Sequence, residues 1–152
     1  MLRAFKPDIL VTQHGCDSHV LDPLAHMALS LDCQRASYEA LHDLAHEVSA
    51  GRWVALGGGG YEVVDVVPRA WSHLVGIAAH APVDPETAIP PGWRDYVMER
   101  FARHAPPRMT DGAEVHYRSW AMGHDPGDAV DRSVMATRRA VFPLRGLDPW
   151  FD

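Results

Sequence analysis

The sequence predicts an α/β fold built on a mainly parallel sheet, and three observations carry that prediction. Two short apolar runs, Asp8-Ile9-Leu10-Val11-Thr12-Gln13 and Trp53-Val54-Ala55-Leu56, have the length and composition of strands buried on both faces. A segment of helical periodicity lies between them. Each run stops in small and polar residues, His14-Gly15-Cys16-Asp17-Ser18-His19 after the first and Gly57-Gly58-Gly59-Gly60-Tyr61 after the second. A strand–helix–strand unit puts both strand C-termini at one edge of a parallel sheet, where open α/β folds build their sites.

The intervening helix is expected to carry Tyr38, Leu41, Leu44, Ala45 and Val48 on one face, with Asp32 as N-cap and Gly51 as the left-handed stop. Beyond the glycines, a helix is expected over about 66–79, with Pro68 tolerated in its first turn and Asp65 as cap. The composition then shifts, since nine of the 12 prolines follow Ala81. Two more helices are expected there. One carries Trp93, Tyr96, Val97, Arg100 and Phe101; the other is capped by Asp128 and turns Val130, Val134 and Val141 inward. Residues 104–127 read as a surface loop.

Composition narrows the function. The 152 residues are 47% hydrophobic and 22% charged, which suits one globular domain. A net charge of −6 argues against a nucleic-acid partner. No apolar run approaches the ~20 residues of a membrane span, and the opening residues lack a signal-peptide core. Two cysteines, Cys16 and Cys33, make no disulfide framework, so the expected compartment is the cytoplasm. Lys6 is the only lysine beside 13 arginines, a bias that carries no functional reading.

The four glycines exclude two nucleotide sites. A Walker loop would end in Gly-Lys-Ser/Thr, and a dinucleotide fingerprint needs a third glycine where Glu62 stands. A tight turn and a substrate-lining loop that presents Tyr61 both remain open. Asp17 reads either as a turn or capping residue or, with His19 two positions on, as a metal ligand. His42 and His46 stand four apart; without a third ligand they read as a solvated helix face. His80 reads as one of several scattered histidines.

Together, Phe5-Lys6-Pro7-Asp8-Ile9-Leu10-Val11, Gly15-Cys16-Asp17-Ser18, Asp22-Pro23-Leu24, Leu56-Gly57-Gly58-Gly59-Gly60-Tyr61 and Arg69-Ala70-Trp71 resemble the zinc-dependent histone deacetylase superfamily. The nearest likeness is to its bacterial acetoin-utilisation branch, which Thr137-Arg138-Arg139-Ala140-Val141-Phe142-Pro143 also resembles. The resemblance implies the C-terminal part of an arginase-like three-layer α/β/α fold. Residues 1–80 would be the C-terminal part of the catalytic domain, and 81–152 a proline-rich helical extension packed on it.

The implied activity is zinc-dependent hydrolysis of acetyl-lysine or a related small acetyl amide. Asp17 matches a zinc ligand, and Tyr61 matches the tyrosine that donates to the oxyanion. Leu24 and Gly59 match positions lining the acyl-lysine tunnel, with Asp22 and Pro23 shaping the Leu24 loop. The family's Asp-x-His ligand pair and tandem histidines have no match here, and the surroundings of His19 are those of the later aspartate. The complete zinc site therefore requires residues outside this chain. The expectation is a fragment that is inactive in isolation and could associate through an exposed sheet edge. Two alternatives stand beside it: a non-catalytic remnant acting as a binding module, and a standalone α/β binding domain unrelated to deacetylases.

Overall fold

The computed structural model describes residues 1–152. Its elements run α1 (Leu2–Phe5), β1 (Leu10–Gln13), α2 (Leu31–Ser49), β2 (Trp53–Leu56), α3 (Val67–Ala78), α4 (Pro91–Phe101) and α5 (Ala129–Val141). They fall into two compact units. One is Asp8–Val115; the other joins Met1–Pro7 with His116–Asp152.

In the larger unit, β1 and β2 pair in parallel, with Leu10 opposite Trp53 and Gln13 opposite Leu56. The pairing continues past both strands. The His14 N–H donates to the Leu56 carbonyl at 2.8 Å, and the Cys16 N–H donates to the Gly59 carbonyl at 2.7 Å. The loops that follow the two strands are thereby held side by side.

Helix α2 begins at Ser30, whose hydroxyl accepts from the Cys33 N–H. The expected cap, Asp32, lies in the first turn instead and serves a distant segment. Its carboxylate accepts from the Thr110 hydroxyl at 2.6 Å and from the Asp111 and Ala113 N–H groups. Ala50 takes the left-handed cap position, followed by Gly51, also at positive φ. Helix α3 starts with Pro68 in its first turn and no side-chain cap. The expected cap, Asp65, is engaged with Arg103, which also reaches Glu62 at 3.0 Å.

Helix α3 buries Arg69, Ala70, His73, Leu74 and Ile77 along one face. Leu74 and Ile77 pack with Tyr38 of α2 against Trp53 and Ala55 of β2. A second cluster joins Cys16, Leu31, Val66 and Ala70. Each large aliphatic side chain so buried contributes about 1.5–3 kcal/mol.

The strands are covered on one face only, which corrects the expectation of two-faced burial. Both helices lie against the side bearing Trp53 and Ala55, while Val11, Val54 and Leu56 stay 60%, 44% and 50% exposed on the other. Apolar content alone could not distinguish the two cases.

Residues 104–127 are likewise not uniformly a surface loop. Met109 is buried, and Ala88 and Arg108 form an antiparallel bridge. Of the residues expected at 3.6 spacing in α4, only Val97 is buried; Trp93, Tyr96 and Phe101 form a ring series on its surface.

In the smaller unit, α5 is capped by Asp128, as the sequence predicts, through the Val130 and Asp131 N–H groups. Its inward residue is Met135, whereas Val130 is exposed. Arginine–aromatic stacking supplies much of the packing. The Arg138 guanidinium lies 4.6 Å from the Trp120 ring centroid and 4.4 Å from that of Phe142.

Candidate functional site

The C-terminal ends of β1 and β2 bring together Asp17, Leu24, Gly59 and Tyr61, the residues the sequence singles out. Asp22 links them. One of its carboxylate oxygens accepts from the Leu24 N–H at 2.9 Å and the Ala25 N–H at 3.2 Å, and the other accepts from the Tyr61 N–H at 2.9 Å. Desolvation would raise this carboxyl; the three backbone donors outweigh it and hold Asp22 below its ordinary value. The Leu24 loop and the Tyr61 backbone are thus tied to one side chain. The side chains they present are open, Leu24 at 61% and Tyr61 at 51% exposure.

The glycines are required by close approach. A Cβ on Gly59 would stand 2.2 Å from an Asp17 carboxylate oxygen, and one on Gly58 would stand 2.9 Å from the Gly15 Cα. The close approach is made by the chain itself: absent side chains let the Asp17 carboxylate rest on the second loop. Beneath it, Cys16 is fully buried, and burial pushes its thiol up to about 11, which removes it as a nucleophile.

His19 is a positioning residue in the interior. Its Nδ1 accepts from the Leu21 N–H at 3.0 Å, leaving Nε2 to donate to Asp111 at 2.8 Å. Asp111 also accepts from the Leu31 N–H at 2.7 Å and from Arg69 at 2.8 Å. Burial would raise the Asp111 carboxyl, but these partners together hold it below its ordinary value. This network, which sequence reading missed, anchors the Asp17–Leu24 loop from below. Its members stand up to 92 positions apart, so no local pattern signals them.

The fit to a zinc ion can be tested on these contacts. Asp17 offers one carboxylate. Both ring nitrogens of His19 are committed elsewhere, and the His14 Nε2 is paired with the Thr12 hydroxyl at 2.6 Å. A catalytic zinc needs three protein ligands, and the residues of this chain around Asp17 do not supply them. The one grouping of three metal-capable side chains is elsewhere: His42, His46 and His80, with ligand atoms within 4.8 Å of one another. That corrects the reading of His42 and His46 as a face without a third ligand. The missed signal is that α2 and α3 pack side by side, which brings the residue just beyond the end of α3 to the end of α2.

No helix is long and apolar enough to cross a membrane. A family model described as "Histone deacetylase domain" matches residues 1–78. Similar curated proteins include several named "Acetoin utilization protein AcuC". That of Bacillus subtilis (strain 168) is 39% identical over 112 residues, covering 74% of this chain and 28% of the relative. That of Staphylococcus xylosus is 41% identical over 93 residues, 61% of this chain and 24% of the relative. That of Staphylococcus aureus (strain N315) is 39% identical over 74 residues, 49% and 19%. The chain thus spans between 19% and 28% of the length of these relatives.

Proposed function

Because this chain belongs to the histone deacetylase domain family, whose fold is an arginase-like α/β architecture, we propose that it supplies the oxyanion-facing wall of a deacetylase site. Family membership sets aside the unrelated-domain alternative. The observation that carries the proposal is the Asp22 carboxylate, which ties the Leu24 loop and the Tyr61 backbone into one rigid wall.

In this reading, the Tyr61 hydroxyl donates to the amide oxygen of an acetyl-lysine or small acetyl amide as that oxygen gains charge. Leu24 and Gly59 flank the aliphatic stem, Gly59 because its backbone presents no Cβ. The family is generally zinc-dependent, and Asp17 is the one ligand this wall offers. The remaining ligands and the proton-transfer histidines are not assembled around it, so the isolated chain is inert toward acetyl-lysine.

A graft tests the assignment. Residues 8–78 would replace the matching segment of a family member with measurable acetyl-lysine turnover. Activity should survive, and Tyr61→Phe in the graft should then lower kcat by about 10²–10³ with little change in KM. A folded, active graft indifferent to Tyr61→Phe sinks the assignment. Turnover by the isolated chain that disappears in Tyr61→Phe and with chelator overturns its inertness.

The open sheet face bearing Val11, Val54 and Leu56 favours a second reading, a non-catalytic module that associates through its sheet. A folded but dead graft, beside an isolated chain that sediments above monomer mass, would select it.

A further inference from the structure

His42 and His46 lie one turn apart on α2, so their rings share a face. Their centroids are 4.7 Å apart, and their Nε2 atoms approach to 3.3 Å. His80 follows the end of α3, at φ 57, and its ring comes within 4.8 Å of His42 and 5.2 Å of His46. Three imidazoles from two elements therefore converge on one point.

The surroundings favour a cation there. Both α2 and α3 end at this cluster, and helix C-termini carry the negative end of the dipole. Glu39 and Asp43 line the adjoining cavity of about 440 Å³ with His42, Ile77, His80 and Pro82. The Asp43 carboxylate stands 3.9 Å from the His42 Nδ1, so it faces the ring nitrogen that points away from His46. A Cβ on Gly51 would come within 3.0 Å of the His46 ring, so that glycine leaves the imidazole its place.

The dimensions suit one ion. Two nitrogens bound to a tetrahedral Zn²⁺ at ~2.0–2.1 Å stand about 3.3–3.4 Å apart. His42 and His46 already hold that separation, and the three ligand atoms lie within 4.8 Å of one another, so the exposed His80 side chain is the one that must move to complete a third vertex. The cavity leaves the fourth to water or a carboxylate.

We propose that His42, His46 and His80 form a binding site for Zn²⁺ or a similar borderline divalent ion, separate from the Asp17 edge. The site lies at the opposite end of the strand pair. His42 packs 5.8 Å from Trp53, the first residue of β2, whereas Asp17 and Tyr61 follow the ends of β1 and β2. All-imidazole ligation selects zinc, cobalt, nickel or copper over magnesium or calcium. Bound metal would clamp the ends of α2 and α3 together.

The untagged full chain is titrated with Zn²⁺ by calorimetry, and Co²⁺ serves as the spectroscopic probe. The expected result is one equivalent of Zn²⁺, a tetrahedral Co²⁺ absorption band and a raised Tm. His46→Gln and His80→Asn should each weaken binding by more than about tenfold. Asparagine tolerates the left-handed backbone at position 80, so loss there reports the imidazole and not the turn. Asp17→Asn should leave binding unchanged. The absence of a saturable site, full affinity in His80→Asn, or loss in Asp17→Asn would each overturn the proposal.

Discussion

At the C-terminal ends of β1 and β2, carboxylates collect backbone N–H groups; at the other end, three imidazoles face one another across a gap. In the first region, Asp22 holds three donors and Asp111 holds Leu31, His19 and Arg69. In the second, the contacts among rings are of 4.7–5.2 Å between centroids. The difference teaches how each end acquires rigidity. The Asp17–Tyr61 end is organised by groups of this chain alone. The histidine end is preorganised by packing but completed only by an ion.

The largest expected effect comes from breaking the first kind of anchor. Asp111→Ala would strand Arg69 and His19, whose side chains are 4% and 1% exposed. Asp111 itself is 23% exposed, so the cost is that of leaving two buried donors without their shared acceptor, about 1–3 kcal/mol each. Urea unfolding should show a lower midpoint, and added Zn²⁺ should not restore it to the wild-type value. Recovery of the full midpoint by metal would erase the distinction between the two ends.

A smaller effect is expected at Gly59. The added methyl of Gly59→Ala meets the Asp17 carboxylate at 2.2 Å, so carboxylate or loop must move. Overpacking of this kind costs about 1–3 kcal/mol. It should lower the urea midpoint while leaving Zn²⁺ binding at the histidine end untouched. A neutral Gly59→Ala would show that the loop is looser than its hydrogen bonds imply.

Much of this end was legible in the sequence, and the reasons are local. The runs at Leu10 and Trp53 signal strands because a short β-branched segment has few other uses. Asp17, Asp22, Leu24, Gly59 and Tyr61 sit in contiguous motifs, so family resemblance finds them. What was not legible depends on separation along the chain. Asp32 reads as a helix cap because Ser30 and Asp32 are both good caps; only Thr110, 78 residues away, decides its role. His19 looks like a loop residue until Asp111 is beside it. His80 looks solitary until α3 packs on α2. The one-sided burial of Val11 and Leu56 is equally invisible, because an apolar run does not record which face the helices choose.

The smallest effect is a pH dependence to which the Asp111 side contributes through His73. His73 is fully buried; its Nε2 donates to the Met109 carbonyl at 2.6 Å, and its Nδ1 has no hydrogen-bond partner. Protonating Nδ1 would place a charge in the interior near Arg35 and Arg69. Burial first, then those cations, hold His73 below its ordinary value of 6.5, despite the opposing Met109 bond and Asp32. Burial lowers His14 as well. Below 6.5 the unfolded chain takes up these protons more readily than the folded one, so stability must fall as pH drops. Above that value both states are neutral at these sites and the contribution is constant. The Asp111 and Asp22 carboxyls, held low, extend the loss below 3.8. Urea midpoints should therefore be flat from neutral pH to about 9, fall above it because burial raises the Cys16 thiol and the Tyr38 phenol, and decline in two stages on acidification. His73→Gln, whose amide can still donate to the Met109 carbonyl, should flatten part of the first stage. An unchanged first stage in that variant would move the acid sensitivity to the other histidines and separate it from the Met109–Asp111 segment.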